Sequence, residues 1–358
     1  MTYSEISDTL LGLVKRYSPS GQERPIVQWM VDRMRSLGFE RSFVDPVGNA
    51  VGIIGEGPLQ IVLLGHIDTY PGEIPVRIEG DILYGRGSVD AKGSLAVLVD
   101  AVARVGRVEG WQFIVVAAVD EECDSTGAWY VVGQYKPKYA IIGEPSRWDR
   151  ITLGYKGIAW AEINIHRPSA HTASLQESAC EAAIRIWDKV QNWAADFNTD
   201  RKRIFDQVLP SLREFSSGED GLQTWACLRI DTRLPVDFPP QDWYMQMQDI
   251  LETSGEQPFE VRQHRYPIPA FVGGKNGPLI RAFLSEIRAA GGEPSFALKA
   301  GTADLNIVAP AWGCPSIAYG PGDSTLDHTP NEHLSISEFN QSVDVLEAVL
   351  KRLTQDGD

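Results

Sequence analysis

His66 and Asp68 stand two residues apart in IVLLGHIDTYPG, where the apolar run Ile61–Leu64 stops at a glycine. Side chains at i and i+2 of a strand end point the same way, so the run delivers an imidazole and a carboxylate to one rim of a sheet. That pairing suits a metal-ligating histidine whose second ring nitrogen is held by a carboxylate. By itself the triplet reads as an ordinary polar pair in a loop. Recurrence changes the reading. GRGSVDAKG carries Asp90 between Gly87 and Gly93, AAVDEECDSTG puts Glu121 and Glu122 at a strand end, and AIIGEPS puts Glu144 at another. GPGDSTLDHTPNEH brings His328 after a fifth apolar run, SIAYG.

Charge decides what such a set is for. In open α/β sheets functional groups gather outside the carboxyl ends of the strands. Two carboxylates about 4 Å apart repel by roughly 4 kcal/mol at an effective dielectric near 20. Several together need cations, and no comparable set of Lys or Arg punctuates these loops. Two divalent ions would bring four positive charges against Asp90, Glu122, Glu144 and a hydroxide. Histidine with carboxylate is a borderline donor set suited to Zn²⁺, with Co²⁺ or Mn²⁺ as substitutes. The competing reading is an ion-pair network facing solvent.

These residues need a sheet to position them. Short apolar runs, AVGIIG, IVLLGH, FIVVAAVD and YAIIGE, alternate with helical patterns over the first 150 or so residues. SGQERPIVQWMVDRMRSLGF places Ile26, Met30, Met34 and Leu37 on one stripe, with Gly38 as its stop. SLAVLVDAVARV is a helix by period and length. Runs apolar on both faces predict an α/β fold with a central, mostly parallel sheet and helices on both faces. From about Gly154 the texture changes to a β-α-β-α-β order: IAWAEINIH, a long amphipathic helix ending in QNWAADF, WACLRIDTRLP, DWYMQMQDILETSG and FEVRQHRY. The expected layout is a discontinuous α/β domain, residues 1–153 and 268–358, with an α+β domain inserted at 154–267.

A chain of 358 residues suits two domains, and 43% hydrophobic with 23% charged residues is a globular composition. No stretch approaches the roughly 18 apolar residues of a membrane span, and the N-terminus carries acids where a secretory signal would be basic. A cytoplasmic protein with no membrane partner is expected. Cys123, Cys180, Cys227 and Cys314 lie far apart, which argues against a disulfide framework or a cysteine zinc knuckle. A net charge of −15 disfavours nucleic acid and mildly favours cationic substrates.

Taken in order, GHIDTYPG, GRGSVDAKG, DEE, GEPS and LDHTPNEH resemble the dinuclear-zinc aminoacylase and carboxypeptidase family over the whole chain. That family includes acetylornithine deacetylase, succinyl-diaminopimelate desuccinylase and glutamate-releasing carboxypeptidases. The resemblance implies one zinc on His66, Asp90 and Glu144, and another on Asp90, Glu122 and His328. It implies that Asp68 orients His66 and that Glu121 is the general base, moving a proton from the attacking water to the leaving amine. The inserted domain would be a dimerisation lid, making a homodimer. In it RPSAHTA offers His171 to polarise the substrate carbonyl, against the plainer reading of a surface histidine.

For substrate, the resemblance points to Arg233 in LRIDTRLP as a carboxylate clamp, or alternatively a surface salt bridge, and to Gly301 and Thr302 in KAGTADLN. Many relatives carry a lid asparagine where this chain reads SGEDGLQTWAC, which counts against glutamate-releasing and general peptidases. The whole looks most like the lysine-biosynthesis branch. These enzymes cleave the amide on the α-amino group of lysine or ornithine, releasing it from acetyl or from the C-terminal glutamate of an acidic amino-group carrier protein. Arg201, Lys202 and Arg203 are the candidate basic patch for such a carrier.

Acetylornithine deacetylase, succinyl-diaminopimelate desuccinylase and a dipeptidase are the alternatives within the family. A catalytically silent binding relative is the alternative outside enzymes. Neither phosphate-loop pattern fits GRGSVDAKGS: Lys92 precedes Gly93 in the wrong order, and Asp90 occupies the last glycine of G-x-G-x-x-G. Lys92 then reads as an ion-pair partner for nearby acids. His166, His264 and His333 read as lid or loop histidines.

Overall fold

The computed structural model describes residues 6–255, 259–263 and 265–355; His264 lies outside them. The chain divides into two units. The first holds the residues up to Gly154, then Gly273–Leu298 and the chain from Ala303 on; the second holds Tyr155–Val272 and Lys299–Thr302.

In the first unit one sheet runs Arg41–Val44, Ala50–Ile54, Trp111–Ala118, Leu59–His66, Tyr139–Gly143, Ser316–Tyr319 and Arg150–Tyr155. The four strands Trp111–Ala118, Leu59–His66, Tyr139–Gly143 and Ser316–Tyr319 are parallel, with antiparallel neighbours at each side. Successive strand residues face opposite sides. Ile61 and Leu63 pack into a core with helices Asp8–Val14, Arg24–Ser36, Lys92–Val105, Pro278–Ala289 and Ile336–Gln355. Val62 and Leu64 lie outside that cluster yet are just as buried, so the other face is covered too. Full burial of such a side chain contributes about 1.5–3 kcal/mol. The expected helical stripe is present: Ile26, Met30 and Met34 are buried, and Gly38 leaves the helix at φ 91°. No helix among the described residues is long and apolar enough to cross a membrane, and all four cysteines are free.

The second unit is a four-stranded antiparallel sheet ordered Leu209–Glu219, Gln223–Leu234, Gly157–Pro168, Phe259–Gln263. Ala159, Ala161, Ile163 and Ile165 face inward, against helices Ala179–Asn198 and Pro240–Thr253. Ser178 and Glu181 close the first helix with a capping box. The sequence order β-α-β-α-β misses the strand Leu209–Glu219. A bulge between Leu212 and Glu214 breaks its alternation, and as an edge strand it has no buried residue, so it carries no periodic signal. Two segments expected in the α/β domain belong here instead. Ile268 and Ile158 exchange backbone hydrogen bonds at 2.7 and 2.9 Å, and the Lys156 N–H donates to the Lys299 carbonyl at 3.1 Å.

Candidate metal centre

The register of the parallel strands sets the site. His66 is level with Ala118, Gly65 with Gly143, and Gly143 with Tyr319. The loops leaving those strands therefore carry His66, Glu121 with Glu122, Glu144 and His328 off one rim. Asp90 reaches the same rim from the loop that precedes helix Lys92–Val105.

At the centre Asp90 meets both histidines. Its Oδ1 lies 3.3 Å from His66 Nε2 and its Oδ2 3.1 Å from His328 Nε2. Glu122 Oε2 lies 3.0 Å from the same His328 nitrogen. Two groups result, His66–Asp90–Glu144 and Asp90–Glu122–His328, each with ligand atoms within 4.8 Å of one another and with Asp90 common to both. The structure thus brings together the residues that the family resemblance assigned to the two metals.

The donor set fits divalent cations. His66 turns Nδ1 to the Asp68 carbonyl at 3.0 Å and to the Asp68 carboxylate at 3.5 Å. A proton there leaves Nε2 with a lone pair facing the acids. Burial opposes charge on His66, yet Asp68, Asp90 and Glu121 hold its pKa well above the ordinary imidazole value. Burial likewise opposes charge on His328, but Asp90 and Glu122 push it up to about 10. Burial works against ionised Asp90, but the two histidines bring its pKa below the usual carboxylate range. A pocket that forces charge onto two imidazoles has surplus negative charge for a metal to neutralise.

Glu121 belongs to neither ligand group. Burial first, then Glu144, Asp304 and Glu122, holds its pKa well above that of a free glutamate, against the pull of His66. Asp68 is fully buried and accepts the N–H groups of Glu121 at 3.2 Å and Glu122 at 3.1 Å. One carboxylate thus steadies His66, the base candidate and a ligand candidate together. Burial disfavours its charge, but the hydrogen bonds of His66, Ser20 and the Glu122 N–H lower its pKa.

Sequence reading missed several supports. The Ser20 hydroxyl donates to Asp68 Oδ2 at 2.7 Å. The Tyr70 ring stacks on His328 with centroids 4.2 Å apart, and its N–H donates to Glu122 Oε1 at 3.1 Å. Asp304 is buried near His66 and Asp68, and burial pushes its pKa up to about 7. Glu332 and Arg86 form a buried ion pair beneath the Asp90 loop. A signal for Glu332 existed: it shares i, i+2, i+4 spacing with Leu334 and Ile336 across the short strand His333–Ser335, and all three are buried. Lys92 is buried beside Glu332 and Asp68, but its ammonium donates to the Arg16 carbonyl at 2.6 Å.

The remaining candidates lie in the second unit. His171 sits on an exposed loop, its Nδ1 accepting the Ala173 N–H at 3.1 Å. Arg233 Nη1 donates to the Thr302 hydroxyl at 2.8 Å, and that hydroxyl donates to the Lys156 carbonyl at 2.9 Å. Gly301 precedes Thr302, with open space where a Cβ would stand. His166 is exposed on strand Gly157–Pro168. In the first unit His333 turns Nδ1 to the Asn331 carbonyl at 2.6 Å. Two of the three cations in the expected basic patch are paired. Arg201 pairs bidentately with Asp237 at 2.9 and 2.8 Å, and Arg203 with Asp206 at 2.6 and 2.8 Å, so aspartates answer both charges.

A parallel α/β sheet with two acid–imidazole groups sharing one aspartate at its strand ends is the architecture of a metallohydrolase. The chain belongs to peptidase family M20/M25/M40, whose family model matches residues 62–352. It is 40% identical over 344 residues to a [LysW]-lysine hydrolase of Deinococcus radiodurans, covering 94% of this chain and 93% of that one. It is 38% identical over 344 residues to a putative [LysW]-lysine/[LysW]-ornithine hydrolase of Pyrococcus abyssi, covering 95% and 92%. In fold it is similar to the M20 family metallo-carboxypeptidase Sso-CP2 of Sulfolobus solfataricus, with a TM-score of 0.79 at 16% identity, covering 97% of this chain and 98% of that one. It is also similar to the Bacillus subtilis YXEP protein, a dinuclear metal binding peptidase, with a TM-score of 0.69 at 14% identity and 97% of both chains covered.

Proposed function

We propose that this protein hydrolyses the amide on the α-amino group of lysine or ornithine, freeing it from the C-terminal glutamate of an amino-group carrier protein in lysine or arginine biosynthesis. The observation that carries the chemistry is Asp90 shared between two candidate ligand groups, with the half-buried Glu121 outside both. The substrate reading is supported by full-length likeness to relatives named for that reaction. A biosynthetic step of this kind fits the cytoplasmic location expected from the sequence.

His66, Asp90 and Glu144 would hold one ion, and Asp90, Glu122 and His328 the other. Imidazole with carboxylate favours zinc, with cobalt or manganese able to substitute. Bound zinc polarises a carbonyl and makes water acidic near neutral pH. Glu121, with its pKa held well above that of a free glutamate by burial, takes the proton of the attacking water and gives it to the departing amine. Asp68 holds His66 in its tautomer. His171 is assigned to the developing oxyanion, where such a donor contributes about 3–4 kcal/mol. Arg233, which donates to the Thr302 hydroxyl, is assigned to the α-carboxylate of the released amino acid, and Gly301 and Thr302 to binding the same group. A homodimer through the second unit is supported by the edge position of Leu209–Glu219.

The test compares hydrolysis of carrier-linked lysine, acetyl-lysine, acetylornithine and succinyl-diaminopimelate by one metal-loaded preparation. Carrier-linked lysine or ornithine should give the highest kcat/KM, and preference for the succinyl substrate would overturn the assignment. On the best substrate, Arg233→Ala should raise KM about 10–100-fold, the loss of a charge-assisted hydrogen bond of about 1.5–3 kcal/mol. An unchanged KM would remove Arg233 from the clamp.

A further inference from the structure

Glu332 and Arg86 form an ion pair with side-chain exposures of 0% and 7% and Oε2 to Nη1 at 2.9 Å. Desolvating two charges costs about what their attraction returns, so stability is a weak reason for such a pair. Its contacts suggest another. Glu332 Oε1 accepts the backbone N–H groups of Val89 at 2.9 Å and Asp90 at 3.1 Å. Arg86 fixes the other carboxylate oxygen, and donates to the Thr329 carbonyl at 3.2 Å and to the Gly72 carbonyl at 2.8 Å. Thr329 follows His328 directly. One buried carboxylate therefore fastens the Asp90 backbone to the loop that carries His328, across 242 positions of sequence.

From this we infer that Glu332, oriented by Arg86, is the positioning residue that sets Asp90 as the shared ligand and so links occupancy of the two metal positions. The inference rests on the metal-centre reading above. It differs from an ordinary loop brace in one consequence: an effect that passes through Asp90 must reach both ligand groups, because Asp90 belongs to both.

The test titrates the full-length, metal-stripped protein with Co²⁺, followed by absorption, and with Zn²⁺ in competition with a chromophoric chelator. In Glu332→Leu both metal equivalents should bind about 10–100-fold more weakly, the usual effect of losing a partner behind a ligand. Glu332→Gln keeps an acceptor oxygen and should recover most of that loss. Stranding Arg86 in the interior can unfold the leucine variant. Arg86→Gln combined with Glu332→Leu removes the stranded charge, and the same weakening is expected in it. Wild-type affinity for both equivalents in either folded leucine variant overturns the inference. So does a loss confined to one equivalent, which would place the effect in the His328 loop alone. If the wild-type protein takes up no pair of ions, the metal-centre reading itself has failed and the inference falls with it.

Discussion

Glu121→Gln is expected to leave a folded, metal-binding protein whose kcat is lower by roughly 10²–10⁴-fold, the range for loss of a general acid–base group. The substitution keeps the side chain's size and leaves the Glu121 N–H on Asp68, so His66 and Glu122 keep their support. KM should stay near wild type, since no ligand or clamp candidate is altered. Stability gives an independent check. Burial and the surrounding carboxylates raise the Glu121 pKa above its ordinary 4.5. A raised acid pKa means that ionised Glu121 costs stability as pH climbs past the unfolded value. Glutamine removes that cost, so the metal-free variant should unfold at the same temperature as wild type or higher. Steady-state kinetics, metal content and thermal unfolding on one preparation decide the matter. Near-normal turnover in a metal-loaded sample takes Glu121 out of the role.

What the sequence revealed of this site follows the range of its interactions. His66 and Asp68 were legible because i, i+2 spacing at a strand end fixes their direction locally, and the parallel register places the neighbouring loops at the same rim. Helix Arg24–Ser36 was legible for the same local reason, as a 3.6-residue stripe closed by a glycine. The role of Glu332 was not, because its partners are backbone N–H groups some 240 residues away, and its spacing with Leu334 and Ile336 marks burial without saying what the carboxylate holds. Arg201 and Arg203 misled in the opposite direction. Three adjacent cations look like a docking patch in the sequence, while Asp206 and Asp237, which answer two of them, become neighbours only on folding. The strand Leu209–Glu219 escaped because its bulge shifts the side-chain alternation that would have revealed it.

Stripping the protein of metal is expected to abolish hydrolysis completely, with recovery on adding back Zn²⁺ or Co²⁺, and the pH dependence of that recovery follows from the geometry. In the stripped protein Asp90 and Glu122 keep His328 protonated up to about pH 10, and Asp68 with Asp90 hold His66 protonated well above its ordinary value. An ion that takes either imidazole must displace a proton, so affinity rises with pH. Each displaced proton steepens the dependence by about tenfold per pH unit. Apparent Zn²⁺ affinity should therefore fall by at least roughly 100-fold between about pH 8 and about pH 6, with proton release measurable by calorimetry in buffers of different ionisation enthalpy. Thermal stability should move in step: at free metal about 1,000 times the dissociation constant, each site adds about 4 kcal/mol, so the loaded protein melts well above the stripped one. A metal-free sample that still cleaves amide would mean that these histidines and acids form a salt-bridged cluster and that the hydrolytic site lies elsewhere in the chain.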